Sequence, residues 1–563
     1  MFDEETLKND EEAQLRWQKE FKRLYSKDFE SQTRSGIPIK SVYSPSDVRD
    51  LEMETVPFPG IYPYTRGLYP AQYQYQPWMN QQVHGYGLAE DTRERMDKLV
   101  KKGMTGYFGN LVFNLVFDLV SQAGLDPDDP EARGKVGQVG AHISCLKDLE
   151  ILFEGLPLEK VNASFIIGEP SICLLAMYIV YGESCGVPKE KLRGNTMNYL
   201  LRGFNWDVAM FPPKNALKIS VELIRYCSRY MPQWNTTNLS GYIIREAGAS
   251  AVQELAFTLG KGINLIEACI EAGLHPDDFV PRFGFQLSFH NDFFEDIAKY
   301  RALRRMWATI NHDRYGCRNP RSLQARIHTH TCGSSLVAQQ PLNNIIRATL
   351  QTFGAALSGT NALQTSAYDE ALSIPTEQSA TLALRTQQII LHESGVTKVS
   401  DPLAGSYYLE WLTNKMEEEA YKIMKQIEAM GGFVKAYESG WLREQIAEEA
   451  EKWRHRVDSG EEVVVGLNRY TEEGEKAEVP VFHVADERIE QQAIKRIRAY
   501  RRARDQEECK EALSRLREEA QKVERGQRDG FLVDALIDAY QAKATLGETM
   551  AILKDVFGYG YVY

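Results

Sequence analysis

Residues 62–87 read YPYTRGLYPAQYQYQPWMNQQVHGYG, and the choice of fold turns on this stretch. Tyr, Gln and Pro dominate it, and neither a 3.6-residue nor a 2-residue hydrophobic period fits. Pro63, Pro70 and Pro77 push the residues before them toward extended backbone. A solvated linker carries more Ser, Glu and Lys and fewer rings. The segment is therefore expected to be an extended thread, ordered by burying its rings against a larger body. Two roles suit such a thread: a strap around a core, or the lining of a channel for a long, thin ligand.

C-terminal to the thread, the text alternates. A helical stretch (88–103) leads to the apolar run LVFNLVFD (111–118). Further helical stretches alternate with VNASFII (161–167), GNTMN (194–198), TTNLSGY (236–242), RFGFQLSF (282–289), SLQARIHTHT (322–331) and NALQTSAY (361–368). Strand and helix repeated this often imply a parallel sheet. Some eight units over roughly 300 residues match a (β/α)8 TIM barrel in the α/β class. A doubly wound open sheet is the alternative, weakened because no G-x-G-x-x-G opens a helix after a strand. The expected division is an extended N-terminal arm (1–60), the barrel with its channel-lining segment (61–400), and a C-terminal helical linker region (401–563).

Chemistry in such a barrel sits at the C-terminal strand ends. Polar residues stand there: Asp118, Asn198, Tyr242 with Glu246, His328 with His330, and Asp369 with Glu370. Barrel interiors are normally filled by bulky branched side chains. These strands instead carry Asn162, Ser164, Thr196, Asn238, Ser240, Gly284 and Ser366, which suits an axis left partly open. The arginines at 496, 498, 501, 502 and 504 lie in mixed-charge helical text and read as a solvated helix face.

Composition excludes several classes. The net charge of −12 argues against a general nucleic-acid binder. No apolar run approaches the ~20 residues that span a bilayer, so no membrane partner is expected. The acidic start MFDEETLKNDEEAQ lacks the layout of a signal peptide. The 8 cysteines are scattered without a C-x-x-C pair, so neither a metal site nor a disulfide framework follows and a cytoplasmic setting is expected.

Several long words add to this reading: SGIPIKSVY, PGIYPYTRGLYP, FDL followed by GLDPDDP, SGY with EAGAS, NPRSLQARIH, YDEALSIPTE, DPLAGSYYLE and GGFVKAYESG. In these words and their order the chain resembles the large subunits of the adenosylcobalamin-dependent acyl-CoA mutases, over nearly its whole length. The resemblance implies a coenzyme A tail threaded along the barrel axis and a cobalamin corrin over the C-terminal mouth. It implies an isomerase in which a deoxyadenosyl radical takes a hydrogen from the acyl group before the skeleton rearranges. The Asp-x-His-x-x-Gly loop of the family's flavodoxin-like cobalamin domain is not found. That domain is therefore expected on a separate small subunit, in an α2β2 assembly or around a homodimer of large subunits.

Site residues follow from the resemblance position by position. Phe117, Glu246, Gly333, Asn361 and Glu370 are implied on the cofactor side, with Glu370 holding the adenosyl ribose. Tyr69, Gln72, Gln76, Gln81, Asn114, Arg282 and Gly284 are implied along the coenzyme A path, Arg282 as a cation for its phosphates. The substrate-facing positions Val83, Val116, Asp207 and Ile243 differ from the family's usual residues. Asp207 replaces an Arg that pairs with a substrate carboxylate, and Ile243 replaces a His that donates to the thioester carbonyl. An Asp facing a carboxylate repels it, so a branched acyl group without a second carboxylate is expected. Two other readings stay open: a non-catalytic subunit serving assembly, and a barrel for an elongated ligand other than coenzyme A.

Overall fold

The computed structural model describes residues 2–24, 31–50, 56–106, 109–198, 209–472 and 487–561. Two five-stranded parallel sheets share their first and last strands, because one residue separates each pair of adjoining segments. Counted once, the strands are eight: β1 (Met79–Gln81 and Val83–His84), β2 (Leu111–Val116), β3 (Val161–Ile166), β4 (Arg193–Thr196), β5 (Trp234–Asn235 and Thr237–Ser240), β6 (Phe283–Phe289), β7 (Ile327–Thr331) and β8 (Ala362–Gln364). β8 pairs with β1 through Ala362–Met79 and Gln364–Gln81, which closes the cylinder. The fold is the expected (β/α)8 barrel.

The closing strand lies inside the thread, and this corrects the sequence reading. Residues 79–84 are the first barrel strand. They show no period-2 pattern because both faces carry polar groups: Gln81 toward the axis, and buried Asn80, Gln82 and His84 on the other side. The part of the thread before this strand, 62–78, lies on the N-terminal rim. Tyr73 donates its hydroxyl to Thr360 O at 2.7 Å and Gln324 donates to Leu68 O at 3.3 Å. Tyr64, Leu68 and Trp78 are buried, whereas Tyr62, Tyr69 and Tyr75 keep a face in solvent. A smaller correction concerns 322–326. Pro320 at the first helical position and Asn319 as its cap make Pro320–Leu323 a helical turn, and β7 starts only at Ile327.

The helices that follow the strands include α1 (Ala89–Lys101), α2 (Leu146–Phe153), α3 (Ser171–Ser184), α4 (Pro213–Tyr230), α5 (Ala251–Glu271), α6 (Phe293–Thr309), α7 (Asn343–Leu357) and α8 (Glu377–Glu393). α3 is apolar nearly all round because the barrel covers one side and the helix Leu532–Gln541 the other. α6 is charged yet buried along most of its length, packed under α9 (Tyr407–Ala429). Most of its charges meet a partner. Lys299 Nζ meets Glu254 and Asp296 at 2.6 Å each. Arg301 meets Glu410 at 2.7 Å and Asp401 at 2.8 Å. Arg304 donates to the carbonyls of Tyr64, Thr65 and Ser358 at 3.1, 2.9 and 2.7 Å, which fixes the thread to the barrel.

The expectation for the arginine run also changes. Arg496 pairs with Asp148 and Glu90, Arg501 with Asp126 and Asp128, and Arg504 with Glu548. Arg501 thus docks on the acidic GLDPDDP loop, Arg496 on α1 and α2, and Arg504 on the helix Leu546–Phe557, rather than facing solvent throughout.

Candidate active site

Register and packing settle which side chains face the axis. Leu239 packs on Gly262 of α5, and Phe285 lies 4.8 Å from Trp307 of α6, so both point outward. Strand side chains alternate, and their neighbours Asn238, Ser240, Gly284 and Gln286 therefore point inward, paired across β5 and β6. The same alternation turns Asn162, Asn195, Asn235 and His328 toward the axis. All four are only half-buried, as are Asn238 and Gly284. The lumen is thus lined by small and polar groups that remain reachable, as their sequence suggested.

Several of these groups are polar atoms buried without a protein partner: Asn162 Oδ1, Asn235 Oδ1, Ser240 Oγ, Gln286 Oε1 and His330 Nε2. A buried polar atom left unpaired costs about 1–3 kcal/mol, and protein interiors normally avoid it. A row of them along one axis fits a ligand that brings amides and carbonyls of its own. Across the lumen, Asn114 instead donates to Gln81 at 2.8 Å, which ties β2 to β1.

The two ends differ in charge. At the N-terminal rim Arg282 is lowered to about 10 by burial and by its neighbours Arg326, Arg321 and Arg193. Arg193 and Arg326 stand at or just before the starts of β4 and β7, a regularity visible in the sequence but not used in reading it. Such a ring of guanidinium groups suits phosphate. Gln72, with its amide on Arg66 O, sits against Gly359 beside this rim, and Gln76 is half-buried nearby. Asn361 also lies at this end. It precedes β8 and its Oδ1 accepts Ile327 N–H at 2.9 Å, opposite to the cofactor end expected for it.

The C-terminal mouth carries carboxylates. Glu246 follows β5 in the short helix Tyr242–Glu246 and accepts Ser334 N–H at 2.9 Å. Gly333 leaves room between them: a Cβ there would stand 3.2 Å from Glu246 Oε2 and 3.7 Å from the Tyr242 hydroxyl. Glu370 accepts Ala367 N–H at 2.7 Å. Burial raises Glu246, and burial raises Glu370 to about 7. Phe117 is placed differently from expectation. Its ring is fully buried against Phe165, 6.1 Å away, and its carbonyl accepts from Gln122 at 2.7 Å, so the residue shows no surface at the mouth. Asp118 and Asn198 are structural: Asp118 binds His142 at 2.8 Å and caps the turn after β2, while Asn198 donates to Ser220 O. His142 escaped the sequence reading because nothing local marks it as the partner of Asp118.

Val83 and Val116 stand half-buried on the inner face near the mouth, with Ile166 beside Val116 on β3. Together they give this end an apolar wall. Ile243 is half-buried and packs against the core. Asp207 lies outside the described residues.

Glu370 gives a pH signature. Its folded value near 7 exceeds the ordinary 4.5, so between these the folded chain holds a proton that the unfolded chain has lost. Stability therefore falls as pH rises through that window. The melting temperature is expected to decline across it, and Glu370→Gln to flatten the decline; an unchanged slope in the variant contradicts the assignment.

A closed eight-stranded barrel with a polar open axis, a cationic rim and a carboxylate-bearing mouth is a channel-type (β/α)8 enzyme scaffold. Comparison with known proteins makes this specific. The family model described as methylmalonyl-CoA mutase matches residues 32–559, and the chain belongs to that family. The mitochondrial methylmalonyl-CoA mutase of Mus musculus is 39% identical over 527 residues, covering 93% of this chain and 68% of the relative. The 2-hydroxyisobutanoyl-CoA mutase large subunit of Aquincola tertiaricarbonis is 37% identical over 527 residues, covering 93% of this chain and 92% of the relative. Methylmalonyl-CoA mutase of Cereibacter sphaeroides is 37% identical over the same length, covering 93% and 72%. Mutases are isomerases, and the chain is a member of this acyl-CoA mutase group. Among the described residues no helix is long and apolar enough to cross a membrane, and no cluster of His, Cys, Asp and Glu is set to hold a metal ion.

Proposed function

We propose that this chain is the substrate-binding large subunit of an adenosylcobalamin-dependent mutase that rearranges the carbon skeleton of a branched acyl-CoA without a second carboxylate. The observation that carries the reading is the lumen. Its unpartnered amide and hydroxyl oxygens run between an arginine rim and an apolar wall at the mouth. Coenzyme A matches that order, with phosphates, then an amide-bearing arm, then the acyl group. The arm's two amides satisfy lumen atoms that otherwise remain unpaired.

At the mouth, Glu370 and Glu246 would hold the adenosyl end of the cofactor, because ribose hydroxyls can donate to their carboxylates; the cradle at Gly333 leaves the space. When bound, adenosylcobalamin supplies the radical chemistry. The residues of this chain orient the acyl group and keep water from it. Val83 and Val116 give a branched alkyl group an apolar seat, and neither can pair with a free carboxylate. The relative named a large subunit supports a separate small subunit as the cobalamin-binding partner.

With such a small subunit, turnover of a branched neutral acyl-CoA such as isobutyryl-CoA is expected to exceed that of methylmalonyl-CoA by about tenfold or more, since each tenfold needs only ~1.4 kcal/mol. Equal rates for the two substrates contradict the substrate assignment. Coenzyme A binding without turnover of any acyl-CoA favours a non-catalytic subunit.

A further inference from the structure

Tyr242 opens the short helix after β5, and its ring lies flat on that of His330 near the end of β7. The centroids are 4.3 Å apart and the planes differ by 7°. His330 is 9% exposed, and its Nε2 is buried without a protein partner. Burial, together with the neighbouring His328, lowers its pKa to about 3, so the ring is neutral at physiological pH. A neutral imidazole has one N–H and one lone pair, and the stack on Tyr242 fixes where they point. On the adjacent strand Gln286 Oε1 is also unpartnered. Ile243, next to Tyr242 in sequence, packs against the core and has no hydrogen bond to give.

This pair stands just below Glu246 and Gly333, at the mouth end of the lumen. An acyl-CoA threaded from the arginine rim brings one polar group to this level, the thioester carbonyl. We propose that His330, clamped by Tyr242, donates its Nε2–H to the thioester carbonyl oxygen and so sets the position of the acyl group. The inference rests on the acyl-CoA reading above. Tyr242 is then a positioning residue that acts through the imidazole.

The test uses the full chain and two ligands, coenzyme A and isobutyryl-CoA carrying a 13C-labelled thioester carbonyl. Calorimetry and infrared difference spectra are compared for the wild type, His330→Phe, His330→Gln and Tyr242→Leu. In the wild type the carbonyl band is expected below its position in water-free solvent, as a hydrogen bond requires. His330→Phe is expected to return the band upward and to weaken isobutyryl-CoA binding about tenfold, the size of one hydrogen bond, with coenzyme A binding unchanged. His330→Gln keeps an N–H and restores both the band and the affinity. Should His330→Phe misfold by circular dichroism, Tyr242→Leu serves instead: it leaves the imidazole unclamped and moves the band in the same direction by less. A carbonyl band that is the same in wild type and variants, or equal weakening of both ligands, overturns the inference and leaves the acyl-CoA reading intact. Failure of the wild type to bind either ligand overturns both.

Discussion

Replacing Lys299 with methionine is expected to lower the unfolding free energy by about 3–5 kcal/mol, a large part of what holds a typical domain together. Lys299 is fully buried between Glu254 on α5 and Asp296 on α6, 2.6 Å from each. Burial alone would strip its proton, but Asp296 and Glu254 outweigh burial and raise its pKa, so the ammonium persists. It also donates to Ser288 O at 2.8 Å, while Glu254 accepts both Ser288 N–H and the Ser288 hydroxyl. The cluster thus ties the C-terminal end of β6 to two helices. Methionine removes the cation that touches both carboxylates and leaves Glu254 and Asp296 buried with only the more distant Arg245 to balance them, and that imbalance is the source of the loss. A double variant, Lys299→Met with Glu254→Gln, is expected to recover part of it because one carboxylate then remains, Asp296, with Arg245 to balance it. Urea unfolding followed by tryptophan fluorescence measures both. A loss below about 1 kcal/mol for the single variant, the level of an exposed ion pair, contradicts this account.

The second large effect concerns the channel. Gly284→Phe is expected to weaken coenzyme A binding by about 100-fold or more, equivalent to at least ~2.7 kcal/mol. The backbone tolerates a side chain at 284, since Gly284 is not among the residues with left-handed φ. The nearest atom a Cβ would meet is Asn238 Oδ1 at 3.3 Å, on the lumen side. A phenyl ring placed there extends into the axis between β5 and β7 and occupies the path proposed for the pantetheine arm. Because Gly284 is half-buried and the tight contact is to a side-chain amide that can shift, the melting temperature without ligand is expected to fall only slightly. Gly284→Ser, which adds one small polar group, is expected to bind nearly normally. Unimpaired binding by the phenylalanine variant rules out an axial path.

How much of this was legible in the sequence follows from where each signal is stored. Seven strands stood out because runs such as LVFNLVFD and RFGFQLSF place apolar residues against the helix layer. The first strand did not, since Met79–His84 carries polar groups on both faces and follows a proline-rich thread. The open axis was readable from the small and polar residues of the inner faces, because lumen composition is a direct consequence of strand alternation. The mouth residues Glu246 and Glu370, inside long shared words, and Gly333, matched by position, do lie at one end of the barrel. Asn361 and Phe117 were misjudged for a different reason. A word match gives a residue's position in the chain but not which end of a short strand, or which face, its side chain occupies. The buried ionic matches of α6 were hidden because Glu254 and Glu410 are distant in sequence from the bases they meet, Lys299 and Arg301. The arginine rim needs strand starts to be superposed in space before it becomes visible.

The claim on which the account stands is that coenzyme A runs through the barrel, and diffraction from crystals grown with coenzyme A tests it most directly. The account expects continuous density along the axis, with phosphates at Arg282 and Arg326, pantetheine amides against Asn238 and Gln286, and the thiol near His330. Density for the nucleotide and arm on the outer surface, with the axis holding only ordered water, contradicts it.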